Sequence, residues 1–357
     1  MNENPFVLID RLAETHSLSV SEYQTLVLSE TETLRTYAAQ KADKIRRDIY
    51  GDSIYIRGLI EVSNVCRNDC YYCGIRASNR ACDRYLLTDD QILSCCAEGY
   101  ALGFRTFVMQ GGEGGLPVAR VCSIVTAIKT RYPDCAVTLS LGEYQTGDYQ
   151  RMYDAGADRY LLRHETADKT HYQQLHPQTL SFDNRMRCLY DLKRIGFQVG
   201  CGFMVGSPYQ TPACLAKDLA FIEAFRPDMC GIGPFIPQKD TPFRDFPAGS
   251  AHQTAYLLSL IRLIQPNILL PATTALGTIL ASGQALGIQS GANVIMPNLS
   301  PLSEREKYAL YDNKRSAGTE SAQNLADLKT SMQALGYRIL TARGDIIHPS
   351  QSDGKVV

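Results

Sequence analysis

The sequence lacks the features that would mark it for a membrane, for nucleic acid or for secretion. No stretch approaches the roughly 20 apolar residues that a membrane-spanning helix requires. Lys and Arg number 36 against 37 Asp and Glu, and the formal charge of -1 argues against a broad nucleic-acid footprint or a membrane-surface role. The first ten residues, MNENPFVLID, have neither the basic start nor the long apolar stretch of a signal peptide. We therefore expect a cytoplasmic protein with no nucleic-acid or membrane partner.

The sequence also lacks internal repeats, low-complexity tracts and an obvious interdomain linker. Its 357 residues are 45% hydrophobic and 20% charged, which fits a globular chain with a sizeable core in one large domain or two ordinary ones. Twelve cysteines in a cytoplasmic chain predict thiols or metal ligands rather than disulfides, because that compartment keeps thiols reduced.

Short β-branched runs alternate with amphipathic segments from Ile54 onward, a pattern typical of βα units. Eight runs predict strands: Ile54 to Val62, Arg105 to Gln110, Ala136 to Leu141, Asp158 to Arg163, Gln198 to Met204, Met229 to Pro234, Asn267 to Pro271 and Val294 to Met296. The clearest predicted helices are Thr88 to Leu102, with Thr88 as the N-cap, Val118 to Tyr132, Asn184 to Ile195, Pro212 to Phe225 and His252 to Ile264. Eight strands with helical crossovers favour an α/β fold of the (β/α)8 TIM-barrel type. An open doubly wound sheet is the alternative, although no Gly-x-Gly-x-x-Gly turn follows the first strand.

Helical segments are expected on both sides of the barrel. Ser29 and Glu32 have the spacing of a capping box, and apolar residues then recur every three or four positions. We expect an N-terminal helical extension in residues 1–50, the barrel in residues 51–300, and a C-terminal segment packed on the barrel in residues 301–357. Within that last segment, residues 323–335 predict a covering helix and residues 337–340 a short strand.

Chemically unusual residues follow the carboxyl ends of the predicted strands, where the active site of a TIM barrel lies. The first strand is followed by Cys66-x3-Cys70-x2-Cys73. Three thiolates within eight residues can hold one cubic iron-sulfur cluster and leave its fourth iron without a protein ligand, free to chelate a small molecule. Cys82 as a fourth ligand, a structural zinc site and a chance triad are the alternatives.

The motif Cys-x3-Cys-x2-Cys, with Tyr72 directly before the last cysteine, resembles the signature of radical S-adenosylmethionine (SAM) enzymes, and the resemblance extends from about Ile54 to Asn298. It implies a 4Fe-4S cluster on Cys66, Cys70 and Cys73 whose unique iron binds SAM. It also implies a low-potential electron donor, because the reduced cluster of these enzymes cleaves SAM to methionine and a 5′-deoxyadenosyl radical.

Further residues at the barrel mouth suit SAM binding: Tyr72, Gly111, Gly112, Glu113, Arg163, Glu165 and Arg185. The glycine turn allows close backbone approach, and the carboxylate after it can accept from the SAM ammonium group. Arginine forks suit the SAM carboxylate, and Glu165 suits a ribose hydroxyl or an amine. The alternative is an ordinary set of surface ion pairs, above all for Arg185. His164 lies on the opposite side of its strand and is expected to pack in the structure.

Six longer segments resemble the HydE family of FeFe-hydrogenase maturases, over nearly the whole chain: CRNDCYYCGIRASN, TLSLGEY, DRYLLRHETAD, GIGPFIPQKDTPF, PATTALGT and GANVIMPNLSP. The resemblance implies that the radical attacks the sulfur of a cysteine-bound iron carrying carbon monoxide and cyanide. It implies two partner maturases, a radical SAM tyrosine lyase that makes this precursor and a scaffold GTPase that receives the product. For such a small organometallic or amino-acid-derived substrate, Thr138, Thr273 and Thr274 offer hydroxyl groups and Met229 an apolar wall. Alternatively, these hydroxyls bond to nearby backbone.

Related families stay open as alternatives. Methylornithine synthase, a carbon-skeleton mutase, and biotin synthase share the architecture, and a non-catalytic iron-sulfur protein is the alternative of another class. Biotin synthase needs a second cluster inside the barrel, and Cys135, Cys201 and Cys230 do not reproduce its ligand set. No cysteine follows Cys230, so the C-terminal cysteine group of some HydE members is absent. Gly111 stands where serine is common in the family, and Tyr209 stands where glycine is common.

Overall fold

The computed structural model describes residues 3–315 and 321–347, where helices alternate with short strands. The helices are α1 Pro5–Thr15, α2 Val20–Leu28, α3 Glu32–Tyr50, α4 Asp89–Ala101, α5 Val118–Arg131, α6 Thr146–Asp154, α7 Lys169–Leu175, α8 Phe182–Ile195, α9 Pro212–Phe225, α10 Ala251–Ile264, α11 Thr274–Ile279, α12 Gly283–Gln289, α13 Leu302–Arg305 and α14 Leu325–Ala334. The strands are β1 Ser53–Ile56, β2 Gly58–Ser63, β3 Thr106–Gly111, β4 Ala136–Ser140, β5 Arg159–Leu161, β6 Gln198–Cys201, β7 Met204–Val205, β8 Met229–Cys230, β9 Gly233–Pro234, β10 Val294–Ile295 and β11 Arg338–Leu340. None of these helices combines the length and the apolar character needed to cross a bilayer.

The strands form a closed parallel barrel. Six of them pair in the order β2-β3-β4-β5-β6-β8, and every pair is parallel. The seventh barrel strand is the segment around Leu269, which bridges β8 on one side, while Pro271 bridges β10 on the other. A parallel bridge between Asn298 and Leu59 of β2 closes the ring. The predicted (β/α)8 architecture is therefore confirmed.

Several barrel strands are shorter than the sequence predicts. The run 54–62 divides into β1, which pairs with β10 and β11, and β2, which pairs with β3. The run 198–204 divides at Gly202, where an added Cβ would lie only 2.0 Å from the Gly231 carbonyl oxygen. The run 267–271 makes isolated bridges only, and it ends in Pro271, which has no N–H to donate to a ladder.

The N-terminal helices pack on the outer helices of the barrel, α3 against α10 and α2 against α9. Helix α3 begins at Glu32, and its N-cap is Thr31, whose side chain accepts from the Leu34 N–H at 3.2 Å. The predicted cap at Ser29 is wrong, because Ser29 is the C-terminal cap of α2. A complete capping box is formed instead by Ser19 and Glu22 at the start of α2.

Residues 338–347, here called the floor strap, cross the N-terminal end of the barrel. Strand β11 lies where the sequence predicts a strand, and it pairs in parallel with β1. The strap then places the Gly344 carbonyl 3.2 Å from Arg57 Nη2 and the Arg343 carbonyl 2.9 Å from Arg159 Nη2. Asp345 pairs with both Arg159 and Arg343. The strap covers this end of the barrel, and the domain division at residues 50 and 300 stays a prediction.

Candidate functional site

A cavity of about 340 Å³ lies at the carboxyl ends of the barrel strands, within the size range of small-molecule sites. Its lining includes most of the residues singled out from the sequence: Cys66, Cys70, Tyr72, Cys73, Gly111, Gly112, Glu113, Arg163, Glu165, Arg185, Thr273 and Thr274. Residues from the first, second, fourth and seventh βα loops thus share one space. A TIM barrel assembles its active site in this way.

The three-cysteine loop forms one wall of the cavity. Burial raises the pKa of the thiols of Cys66 and Cys70, and that of Cys73 to about 12. The neighbouring thiols raise the Cys70 pKa further. Thiols bind metals as thiolates, and a metal centre displaces their protons on binding. A metal centre that binds these three cysteines therefore displaces their protons.

Partly buried polar contacts that could not be predicted from the sequence hold this loop in shape. The Arg84 guanidinium donates to the carbonyl oxygens of Asn64 at 2.6 Å, Ile75 at 2.8 Å and Arg76 at 2.6 Å. Asp69 forms an ion pair with Arg76 at 2.6 Å, which lowers the pKa of Asp69 to about 2. Charge-assisted bonds of this kind fix a loop that has no regular secondary structure.

Glu113 and Arg185 belong to a buried charge cluster beside the cysteine loop. Glu113 lies 3.0 Å from Arg67 Nη2 and 3.7 Å from Arg185 Nη2, and Arg185 Nε lies 2.7 Å from Glu143 Oε1. Although burial disfavours a charged guanidinium, the Glu143 carboxylate and its neighbours raise the pKa of Arg185 well above its usual value. Gly142 makes room for this arrangement, since a Cβ there would lie 2.2 Å from Glu113 Cγ.

Arg163 and Glu165 face the cavity from the end of the fourth barrel strand. Arg163 Nη2 lies 3.3 Å from Glu165 Oε2. His164 between them is fully buried and does not line the cavity, as its position in the strand predicts. The backbone of Glu165 is left-handed, with φ of 63°, which is uncommon for a residue other than glycine.

Tyr72, in the cysteine loop, is held by a neutral histidine. The Nδ1 of His176 lies 2.9 Å from the Tyr172 carbonyl oxygen and donates to it. Its Nε2 is therefore free to accept from the Tyr72 hydroxyl at 3.2 Å. Burial lowers the pKa of His176 to about 3, so this acceptor persists at neutral pH.

A further wall of the cavity comes from residues 308–314, which the sequence analysis did not connect with the site. Tyr308, Tyr311 and Lys314 line the cavity. Lys314 Nζ pairs with the buried carboxylate of Glu61 and donates to the Tyr308 carbonyl oxygen at 3.0 Å. No sequence motif predicts this wall, because it forms only when a C-terminal segment folds back over the barrel mouth.

Comparison with known proteins agrees with this geometry. Residues 60–222 match the Radical SAM superfamily. The [FeFe] hydrogenase maturase subunit HydE of Thermotoga maritima is 45% identical over 274 residues, which cover 76% of this chain and 78% of that protein. The chain belongs to the HydE family of the radical SAM superfamily.

More distant relatives share the fold of this HydE-family chain. The 3-methylornithine synthase of Methanosarcina barkeri is 28% identical over 308 residues, 85% of this chain and 86% of that protein. The crystal structure of methylornithine synthase (PylB) superposes with a TM-score of 0.83 at 24% identity, covering 93% of this chain and 97% of that one. The structure of HydG, a maturase of the [FeFe]-hydrogenase, gives a TM-score of 0.79 at 20% identity over 96% of this chain and 77% of that one.

Radical SAM enzymes use a 4Fe-4S cluster and SAM, and this HydE-family chain is an enzyme of that class. Its cysteine loop fits a cluster better than a single ion. Within residues 3–315 and 321–347, no three His, Cys, Asp or Glu side chains are grouped closely enough for one metal ion, whereas each cysteine of a cubic cluster binds a different iron. A Cβ on Gly112 would lie 2.2 Å from the Val65 carbonyl oxygen and 2.8 Å from Cys66 Cβ, so the glycine turn lies directly on the cysteine loop.

Cys82 has a different environment from the three cysteines of the loop. It does not line the cavity, and its Sγ lies 3.5 Å from Asn64 Nδ2. The geometry therefore does not support Cys82 as a fourth cluster ligand in this HydE-family site.

Thr138 and Met229 lie apart from the other predicted residues. They line a second, much smaller cavity toward the N-terminal end of the barrel, together with Arg57 and Arg159, and Met229 Sδ accepts from Arg57 Nη1 at 2.9 Å. Thr138 shares the inner face of β4 with Ser140, two residues on, which does line the large cavity. Thr138 and Met229 were predicted as substrate contacts at the barrel mouth, but their positions do not support a contact in the large cavity.

Proposed function

We propose that this chain is an FeFe-hydrogenase maturase whose substrate is a cysteine-bound iron that carries carbon monoxide and cyanide. The observation that carries the proposal is the placement of a three-cysteine loop on the wall of a cavity of about 340 Å³, in a chain that is 45% identical to HydE of Thermotoga maritima. The cavity lies at the barrel mouth and is lined by both charged and apolar side chains.

The cysteine end of the cavity holds the cofactors. When bound there, the cluster would supply one electron for cleavage of SAM to methionine and a 5′-deoxyadenosyl radical, the species that would attack the substrate sulfur. Cys66, Cys70 and Cys73 are the cluster ligands, and Tyr72, fixed by His176, contributes an aromatic wall beside them.

The charged residues of the mouth orient the SAM zwitterion. Glu113, next to the Gly111-Gly112 turn, accepts from the SAM ammonium group, and the Arg163 and Arg185 guanidinium groups receive its carboxylate. The Glu165 carboxylate accepts a hydrogen bond from a ribose hydroxyl group of SAM. These assignments follow from opposite charges in a buried space, where charge-assisted bonds are strong.

The substrate lies deeper, between hydroxyl donors and apolar side chains. Thr273 and Thr274 begin α11 at the cavity wall, and Leu161, Pro271 and Met296 supply the apolar part of the lining. Lys314, although paired with Glu61, adds a cation from the wall formed by residues 308–314. An anionic iron complex with apolar carbonyl ligands matches this mixture of donors and hydrocarbon.

The proposed reaction requires partners. A radical SAM tyrosine lyase supplies the iron precursor, a low-potential electron donor reduces the cluster, and a scaffold GTPase receives the product. All of them act in the cytoplasm in this proposal.

The first experiment tests the cluster ligands. After anaerobic reconstitution with iron and sulfide, the native chain with SAM and dithionite should yield methionine and 5′-deoxyadenosine. Cys70→Ser should lose this activity by at least about a hundredfold, while its circular dichroism stays unchanged because the loop lies outside the barrel core. Cys82→Ser is the matched control and should retain the activity. Turnover by the Cys70 variant, or the absence of both products from the native chain, would contradict the assignment.

The second experiment tests the pathway. The reconstituted chain, combined with a tyrosine lyase, a scaffold GTPase and apo-hydrogenase, should restore hydrogen evolution, and omission of this chain should abolish it. If SAM is cleaved but hydrogenase stays inactive, the proposed substrate is wrong and the mutase alternative gains support.

A further inference from the structure

Glu165 occupies a strained backbone position that the surrounding structure enforces. A left-handed backbone is unfavourable for a residue other than glycine, and such residues persist only where several contacts determine them. The Glu165 N–H donates to the Gly202 carbonyl oxygen at 3.0 Å, and its own carbonyl accepts from the Met204 N–H at 3.3 Å. These bonds fix the peptide groups of Glu165 against the neighbouring barrel strand.

His164, the preceding residue, anchors the same turn from the outer side of the barrel. Its Nδ1 accepts from the Gly202 N–H at 3.3 Å, so this network places the ring proton on Nε2. That nitrogen lies 3.2 Å from Asp218 Oδ1, in a pair with no solvent exposure on either side chain. The imidazole ring also packs on Phe221, with ring centroids 4.7 Å apart.

Asp218, on α9, holds both flanks of Glu165 with a single oxygen. Its Oδ1 accepts from His164 before Glu165 and from the Ala167 N–H, at 2.5 Å, after it. Its Oδ2 has no hydrogen-bond partner within the described ranges. An amide nitrogen in place of Oδ2 would therefore break neither bond, whereas an apolar side chain would break both.

We propose that Asp218 is a positioning residue for SAM, which acts through His164 and the Ala167 N–H to hold the Glu165 backbone left-handed and so direct the Glu165 carboxylate into the cavity. The inference rests on the proposed function, because it takes Glu165 as a SAM contact. Asp218 itself does not line the cavity, so it acts only through the turn that it holds.

The test measures SAM affinity by calorimetry on the reconstituted, cluster-loaded chain. Asp218→Leu, which keeps the branching at Cγ but has no acceptors, should weaken SAM binding about tenfold, the lower end of what loss of an outer-shell partner costs. Asp218→Asn is the matched variant and should bind SAM like the native chain. The Glu165→Ala change should itself weaken SAM binding. In a chain that carries it, Asp218→Leu should cause no further loss of SAM affinity, because both changes remove the contact between Glu165 and SAM.

His164→Phe provides a second route to the same result if Asp218→Leu does not fold. It retains the packing on Phe221 but loses both ring hydrogen bonds, and it should also weaken SAM binding in the native background and not in the Glu165→Ala background.

Native-like SAM affinity in the folded Asp218→Leu or His164→Phe chain would overturn the inference. An equal loss of affinity with and without Glu165 would overturn it as well. That result would show that Asp218 stabilises the barrel in general and does not act through Glu165. If Glu165→Ala binds SAM like the native chain, the failure belongs to the Glu165 assignment in the proposed function.

Discussion

Gly112 is the residue at which two loops of the barrel mouth touch. Gly112→Ala should displace the cysteine loop, because the added Cβ would lie 2.2 Å from the Val65 carbonyl oxygen. That oxygen belongs to the backbone, so it cannot move aside as the end of a flexible side chain could. We expect the variant to fold but to retain less than about half of the cluster iron and to cleave SAM at least about tenfold more slowly, as other losses of support around a metal centre do. Iron and sulfide analysis after reconstitution, together with the EPR signal of the reduced cluster, measures this.

Gly147→Ala is the control for that change. Nothing lies within 4 Å of a Cβ at Gly147, and the residue is exposed on α6. Alanine there should raise the free energy of unfolding by up to about 1 kcal/mol and leave the iron content unchanged. Full cluster loading by the Gly112→Ala chain would show that the two loops do not need this close contact.

Residue types predict chemistry better than they predict location. Cys66, Glu113 and Arg185 could be identified from the sequence, because thiols and buried charges have few other uses at strand ends. Arg84 and Lys314 could not, since their contacts join segments that only the folded chain brings together. Thr138 shows the same limit from the other side, because alternation along a strand gives the face of a side chain but not its height in the barrel.

At the scale of secondary-structure elements, the N-cap of helix α3 gives a testable prediction. Thr31→Ala removes the side-chain acceptor for the Leu34 N–H and should lower the free energy of unfolding by about 1 kcal/mol, the usual cost of a lost N-cap. Ser29→Ala, two residues earlier, should change it by less than about 0.5 kcal/mol, because Ser29 does not cap α3. Chemical denaturation of the two variants measures the difference, and equal effects would contradict the assignment of the cap.

Elements with strong periodicity could be predicted, and those set by tertiary contacts could not. Thr88 caps α4 in a full capping box with Gln91, as the sequence predicts, and α9 has the predicted bounds. The sequence spacing pointed to Ser29 as the cap of α3, but Thr31, two residues later, caps it, because either hydroxyl residue can cap a helix. Strands β6 and β8 are short because they end at the close contact between Gly202 and Gly231. The pattern of residues along the sequence does not reveal this contact between two strands.

At the scale of the whole molecule, the floor strap joins the end of the chain to the base of the barrel through Asp345. Although burial acts in the opposite direction, the Arg159 and Arg343 guanidinium groups lower the pKa of Asp345 well below its usual range. The ionised carboxylate therefore stabilises the fold at pH values above about 4, the pKa of an unfolded aspartate. That stabilisation is lost as the pH falls from there toward the pKa in the folded chain.

Asp345→Asn should lower the free energy of unfolding by about 1 kcal/mol at pH 7, a value that allows for the partial exposure of the pair. The difference from the native chain should stay constant from about pH 8 to pH 5 and shrink below about pH 4. Asp245→Asn is the control, because the Asp245 side chain is 86% exposed, and it should have little effect. Denaturation curves across this pH range measure both, and a difference that grows in acid would contradict the ion-pair account.

The closed barrel could be predicted by counting strands, but the strap could not be placed. Its sequence predicts a strand at residues 337–340, and nothing in that pattern identifies β1 as the partner. The charges of Arg159 and Asp345 are 186 residues apart in the chain, so their pairing depends on the complete ring of strands.

The floor strap covers the base of the barrel, so among the described residues the mouth is the open end of the large cavity. The cluster loop stands at the mouth, while Pro271 and Met296 lie in the same pocket on the later strands of the ring. In the proposed function SAM lies at the mouth and the substrate deeper, so we expect the substrate to enter before SAM and its product to leave after the fragments of SAM.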